Sequence, residues 1–471
     1  MTRPDASRRA FLKRAGALSM LGTAAPWALS LATMADAAAA ATSASSDYKA
    51  LVCVFLYGGN DHANTLVPVD AASYALYSAA RGSLSLPWSG LQATTLQPRV
   101  PLPNSRQMAL APALAPIKPY FDAGKLAVLL NIGPLIQPTS LADFQAQRVP
   151  LPSKLFSHND QQSAWQTYAQ EGAQAGWGGH LGDLLMSGNG HAAFTCVSLS
   201  GNAAYVAGDQ VVPYMLNPAG VAPLQAIDGL MYGSAACSDI FKRVVTQPDS
   251  THVMARMHAD IMRRAIDAQV DLSVALGQTG ALSTTFAAGN GLAAQLKMVA
   301  NLIAARGVLG LKRQVFFVSL GGFDMHDNLM SQHPILLGQV AGALQSFVDA
   351  TNELGVANQV TTFTASDFGR TLSSNGDGSD HGWGGYHFVL GGAVQGGRFY
   401  GHLPDAGLQG AQDIGQGRLL PTMAVDQLAT ALAGWMDVSA TDQRMLIAPH
   451  ASAFDASVLA DLFVPQAAAS S

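Results

Sequence analysis

Two pieces of residues 314–401 decide the fold: QVFFVSLGGFDMHDN at 314–328 and TTFTASDFGRTLSSNGDGSDHGWGGYHFVLGGAVQGGRFYG at 361–401. Three times an apolar run ends in a glycine-punctuated turn that carries carboxylates, imidazoles or a guanidinium. The first turn holds Asp324 and His326, the second Asp367 and Arg370, and the third Asp380, His381 and His387. Short runs of Val, Phe and Thr bounded by such turns suit strands covered on both faces. Between them, residues 335–354 read as a helix stopped by Gly355. Strand, helix and strand in alternation predict α/β architecture, and ligands of such sheets bind beyond the carboxyl ends of the strands.

Outward from this stretch, the same grammar recurs. Residues 48–68, YKALVCVFLYGGNDHANTLVP, open with an apolar strand that stops at Gly58 and Gly59, with Asn60, Asp61 and His62 directly after. Residues 108–136 give an apolar helix-like segment, a turn at Gly124 and the strand KLAVLLNIG. At LFSHNDQQSAWQTYAQ (155–170), Ser157 with Asp160 three residues on predicts a helix start, and His158 and Gln161 sit in the first turn. Residues 176–250, rich in Gly, Ala, Ser and Asn, read as a loop-rich insertion or cap. Residues 251–278 and 291–306 repeat apolar positions at helical spacing, and PTMAVDQLATALAGWM (421–436) forms a further amphipathic helix. Residues 466–471 read as a disordered tail.

The chain of 471 residues is 49% hydrophobic and only 12% charged, with a net charge of -5. After residue 42 no apolar run reaches the roughly 20 residues that span a bilayer, so no transmembrane segment is expected in the mature chain. The absence of a basic block gives no footprint for nucleic acid. Cys53, Cys196 and Cys237 are too far apart for a metal-ligand pair, and pairing of Cys196 with Cys237 stays open. SRRAFLK at 7–13, the apolar stretch 15–34 and the small-residue run ADAAAA at 35–40 resemble a twin-arginine export signal over residues 1–42. That resemblance implies passage through the twin-arginine translocase to the periplasm or cell surface. A single domain is expected at 48–465.

Asp and His side chains at strand ends suit divalent cations: Zn²⁺, Mn²⁺, Ca²⁺ or Mg²⁺. Glycines beside each cluster allow close approach of the backbone. Arg370 offers either a fork for an anionic ester or an internal ion pair to Asp367 or Asp380. Ser157 reads equally as a helix cap and as a hydroxyl at the site.

Taken together, the leader, VFLYGGNDHANTLVP, the SH…Q…WQT segment at 157–167, FFVSLGGFDMHDN and SDFGRT…SDHGWGGYHFVLGGAVQGG resemble the DUF1501 family of exported bacterial proteins. That family is similar to the alkaline phosphatase/sulfatase superfamily. The resemblance implies an alkaline phosphatase-like, doubly wound, mostly parallel sheet flanked by helices, with one or two metal ions at the strand ends and an anionic phosphate or sulfate ester as substrate. Residue by residue, it implies Asp61, Asp324, His326, Asp367 and either His381 or His387 as metal ligands, with Ser157 the nucleophile by position; in such a hydrolase Arg370 or His158 would steady the developing charge. Two features depart from the pattern. Phe368 stands where the superfamily has histidine, and Asp324 and His326 are unusually close in sequence.

Overall fold

The computed structural model describes residues 48–221, 225–247 and 251–465. The expected export signal at 1–42 and the expected tail at 466–471 lie outside the described residues. The strands, in chain order, are β1 (Lys49–Leu56), β2 (Leu66–Pro68), β3 (Met108–Leu110), β4 (Leu126–Gly133), β5 (Cys196–Ser198), β6 (Tyr214–Met215), β7 (Arg313–Leu320), β8 (Val360–Ser366), β9 (Gly385–Gly391), β10 (Arg398–Tyr400) and β11 (Met423–Ala424). All but β2 and β3, which pair with each other, join one sheet in the order β10-β4-β9-β8-β1-β7-β5-β6, with β11 on β4.

Pairing is parallel along the sheet except at β9, which runs antiparallel to both β4 and β8. The result is a mixed α/β fold with a mostly parallel central sheet and flanking helices. The principal helices are α1 (Ala71–Arg81), α2 (His158–Thr167), α3 (Trp177–Leu185), α4 (Ala235–Thr246), α5 (Val253–Gln278), α6 (Gly291–Ala304), α7 (Leu329–Glu353) and α8 (Val425–Trp435).

Strand β1 shows why its apolar run is nearly continuous. Ala50, Val52, Val54 and Leu56 point into one core, and Leu51, Cys53 and Phe55 into another on the opposite face. Side chains alternate across a strand, so two buried faces require apolar residues at every position. Each Val, Leu or Phe so buried contributes roughly 1.5–3 kcal/mol. Helices α6 and α7 supply Leu296, Val299, Leu344 and Phe347 to the first core, and α8 supplies Leu428 and Leu432 to the second.

Three differences from the sequence reading matter. Within 176–250, expected as loops and short strands of an insertion or cap, β5 and β6 join the main sheet. The segment after Met108 is a short strand, then a 3-10 stretch at Pro112–Ile117 that runs into a short α-helix at Lys118–Asp122, instead of one helix. Helix α7 begins at Leu329 and carries Pro334 inside it, so it starts more than a turn before the Ile335 expected from the sequence. Cys53, Cys196 and Cys237 are all free thiols.

Register places the site. Leu56 is level with both Leu320 of β7 and Ser366 of β8, so the chain leaves all three strands side by side at one edge. Because β9 is antiparallel, its first residues lie at that same edge, with Gly385 opposite Ile132 near the end of β4. The loop before β9, which carries Asp380 and His381, therefore joins the turns after β1, β7 and β8.

Candidate metal centre

Gly58 and Gly59 make the edge tight. Their φ angles are 112° and 84°, and a Cβ on Gly58 would sit 2.3 Å from the Asp324 amide nitrogen. This positive-φ turn lets the end of β1 pass directly under the turn after β7. Gly58 also ties the edge together, with its N–H donating to Asp367 Oδ1 at 3.1 Å and its carbonyl accepting from Arg370 Nη1 at 3.1 Å.

Three imidazoles meet around Asp324. His381 Nε2 lies 3.1 Å from His158 Nε2 and 2.9 Å from His326 Nε2. Asp324 Oδ1 is 3.2 Å from His381 Nε2 and 3.1 Å from His326 Nε2, while its Oδ2 is 3.3 Å from His158 Nε2. His158, Asp324 and His381 offer three ligand atoms close enough to share one ion.

The far nitrogen of each ring is held. His158 Nδ1 donates to Asp367 Oδ2 at 2.7 Å, His326 Nδ1 to Asp380 Oδ1 at 3.2 Å, and His381 Nδ1 to the carbonyl of Phe156 at 2.7 Å. Carboxylates and carbonyls accept, so each Nδ1 carries a proton, and Nε2 is the nitrogen that each ring turns toward Asp324. An acceptor behind every imidazole is the arrangement that orients metal-ligating histidines. Borderline nitrogen donors with one carboxylate oxygen fit Zn²⁺ better than Ca²⁺ or Mg²⁺, which prefer oxygen alone.

Electrostatics follow from these contacts. The hydrogen bond to Asp367 raises the His158 pKa against its partial burial. Burial lowers that of His381, outweighing its bond to Phe156. Burial raises the Asp324 carboxyl, but the Arg370 hydrogen bond and charge outweigh it and leave it below the usual range.

The remaining expected residues take other places. Asp367 is fully buried and stands behind His158, where it also accepts from Gln162 Nε2 at 2.7 Å, so its carboxylate meets the far nitrogen of that ring and not the three converging Nε2 atoms. Arg370 is fully buried too. Its Nη1 meets Asp324 Oδ1 at 2.7 Å, its Nη2 binds the Ser379 carbonyl and its Nε reaches Ser379 Oγ at 3.4 Å. The internal ion pair holds, with Asp324 as partner rather than Asp367 or Asp380, and no fork is left for an ester.

Asp61 is absent from the cluster. Its Oδ1 caps the turn at His62–Asn64 through the Ala63 and Asn64 N–H groups, and its Oδ2 is paired with Arg81 at 2.5 Å. His387 is absent as well. It lies within β9 rather than at a strand end, buried, with Nδ1 3.2 Å from Thr364 Oγ1 and its ring against Trp165. Ser157 takes the N-cap position of α2, but its hydroxyl donates to Asp160 Oδ2 at 2.9 Å.

Gln162 and Phe368 were missed as site residues. Gln162 lies one turn after His158 on α2, the i,i+4 spacing that puts both on one face; the expected Gln161 is buried instead. Phe368 packs its ring against those of His158 and His381, with centroids 4.9 and 4.7 Å apart. The Phe156 carbonyl is a backbone group for which a sequence gives no sign. A second acidic grouping, His180, Asp183 and Asp209, has a simpler account: the Asp183 carboxylate accepts from the Asp209, Gln210 and Val211 N–H groups and anchors that loop.

A mostly parallel sheet with an Asp/His centre at its carboxyl edge defines the class. By sequence the chain belongs to the family described as "Protein of unknown function (DUF1501)", whose model matches residues 48–433. No curated protein matches the chain. Among solved structures, it is similar to Ps i-CgsB in complex with k-i-k-neocarrahexaose at 10% identity and a TM-score of 0.33, covering 84% of this chain and 74% of that one. It is similar to a second structure, Ps i-CgsB alone, at 9% identity, a TM-score of 0.34 and the same coverage.

Proposed function

We propose that the chain is an exported, metal-dependent hydrolase of phosphate or sulfate esters, with His158, Asp324 and His381 as the ligands of a divalent ion and His326 beside them. The observation that carries this reading is the convergence of three Nε2 atoms on Asp324 with every Nδ1 already bonded to an acceptor. A bound divalent ion supplies Lewis acidity toward an ester oxygen and lowers the pKa of water. The substrate class and the alkaline phosphatase-like character of the fold rest on the sequence resemblance, as do export by the twin-arginine translocase and a periplasmic or surface location.

The protein's own groups divide the work. Asp367, Asp380 and the Phe156 carbonyl fix the imidazole tautomers, and Arg370 fixes Asp324. Phe368 covers one side of two rings against water. With the Ser157 hydroxyl committed to Asp160, water is the nucleophile this site accommodates. His326, the most exposed of the three imidazoles, is bonded through Nδ1 to Asp380, and its Nε2 would take a proton from the attacking water.

Elemental analysis of purified protein tests the centre: bound divalent metal is expected in wild type and its loss in Asp324→Ala and His381→Ala. No metal, and no change in Tm on adding Zn²⁺, Mn²⁺ or Ca²⁺, would sink the proposal. A second reading, a non-catalytic exported binding protein of the same fold, draws on the committed Ser157 hydroxyl and on Phe368. Turnover of phosphate monoesters, diesters or sulfate esters that Asp324→Ala abolishes would exclude it.

A further inference from the structure

Helices α4 and α5 pack on each other and carry an unusual share of exposed apolar side chains. On α5, Met254 is 65% exposed, and Met257 and Ile261 are each 53% exposed. At spacings of three and four these residues form one stripe on the helix. The stripe is continued later in α5 by Ala268, Leu272 and Ala275, which are buried in the main core. The same helix face thus enters the protein at its C-terminal half and leaves it at its N-terminal half. Ile240 and Val244 on α4 are exposed as well.

Charge is polarised along this hairpin. Residues 242–264 hold Lys242, Arg243, Arg256, Arg263 and Arg264 against Asp249 and Asp260, a balance of five minus two, or +3, in a chain whose net charge is -5. Asp239 on α4 and Asp267 on α5 stand one turn outside that span, and Asp271 lies further along α5. Arg263 is paired with Asp260, and Arg264 reaches only the Asp260 carbonyl. Lys242, Arg243 and Arg256 have no carboxylate partner among the described residues.

We infer that the end of the hairpin formed by α4 and the first half of α5 docks on an anionic lipid surface. Met254, Met257 and Ile261 would enter the headgroup boundary, with the surrounding Arg and Lys side chains on lipid phosphates. Exposed methionine and isoleucine flanked by cations suit an interface that is apolar below and negative above. No helix among the described residues is long and apolar enough to cross a membrane, so the contact is peripheral.

Vesicle flotation tests this with chain freed of residues 1–47, because the apolar leader would itself bind lipid; the whole sheet and both cores lie after residue 47. Vesicles of phosphatidylcholine with 30% phosphatidylglycerol, about that fraction being enough for a strong surface potential, are compared with pure phosphatidylcholine. Wild type is expected to float with the anionic vesicles and to be released by high salt. Arg256→Glu with Arg264→Glu is expected to weaken partition by about fivefold or more for each charge. Met257→Glu with Ile261→Glu is expected to abolish flotation while leaving the circular dichroism melt unchanged, since both side chains face solvent. Equal flotation of wild type and variants would overturn the inference. So would failure to bind anionic vesicles, or a solution dimer that Met257→Glu with Ile261→Glu dissociates, which would assign the face to a second copy.

Discussion

Asp61 and Asp324 both follow a β-strand at the same sheet edge, yet their surroundings give them opposite jobs. Asp324 is 44% exposed at its side chain and has three imidazoles within 3.3 Å. Asp61 is buried against Arg81, a pair with 2% and 0% of their side chains exposed. Removing one partner of such a pair strands a buried charge. Asp61→Ala is therefore expected to destabilise the fold by about 3–5 kcal/mol in urea unfolding while leaving metal content per folded chain unchanged. A loss of metal at unchanged stability would return Asp61 to the ligand set. Asp367→Asn probes the residue behind His158. It keeps the side-chain volume but withdraws the acceptor charge that fixes the tautomer, and a weakening of metal affinity by roughly 10- to 100-fold is expected from titration with a competing chelator. Unaltered affinity would mean that His158 needs no such support.

At the scale of elements, the end of β1 is where the site is most vulnerable. Ala at position 58 meets a positive φ that costs about 1–2 kcal/mol in itself, and its Cβ would press on the Asp324 amide. Gly58→Ala is expected to lower stability and weaken metal binding together, whereas Gly201→Ala, also at positive φ but with open space around its Cβ, should cost stability alone. Strands β1, β4, β7, β8 and β9 were legible because burial on both faces leaves an apolar run that turn residues bracket. Strands β10 and β11 were not, since two or three residues carry no period, and β5 and β6 showed only as short apolar stretches with no sign of the sheet they join. The direction of β9 was also hidden. An apolar run reads the same either way, and only the path of the loop from Gly369 to Gly384 reveals that the strand begins at the site edge. That reversal explains both sides of the reading at this segment: His381, before the strand, joins the cluster, and His387, inside it, faces a core. Asp324, His326, Asp367 and Arg370 were legible as neighbours, but the distinction between binding an ion and holding a ligand depends on side-chain direction, which composition and spacing leave open.

Across the whole molecule, three buried histidines away from the cluster set a pH dependence. Burial holds His62 and His333 at about 4, against the pull of Asp61, and His387 at about 3. In the unfolded chain each titrates near 6.5. Between that value and the folded one the unfolded state binds more protons, so stability falls as pH falls, beginning below about 6.5. A depression from 6.5 to about 4 corresponds to a loss on the order of 3 kcal/mol for a single such histidine. The Asp61 carboxyl adds a second, more acidic loss. Burial raises it, but Arg81, His333 and His62 outweigh this and leave it at about 2, so its stabilisation is present above roughly 3.8 and disappears as pH falls toward 2. His450, raised by its bond to Asp426, acts with the opposite sign, favouring the fold at low pH and losing that contribution as pH rises through its folded pKa. It is partly exposed and single against three outside the cluster, where the raised His158 and the lowered His381 oppose each other. Urea midpoints measured from pH 8 to pH 4 are therefore expected to hold near neutrality and then decline steadily below about 6.5. His333→Gln, which can still donate to Asn60 Oδ1 in place of the 2.9 Å imidazole contact, should flatten that decline. A profile without slope between pH 6.5 and 4.5 would show that these histidines reach protons in the folded protein, and so that the interior around Asn60 and His62 is open to water.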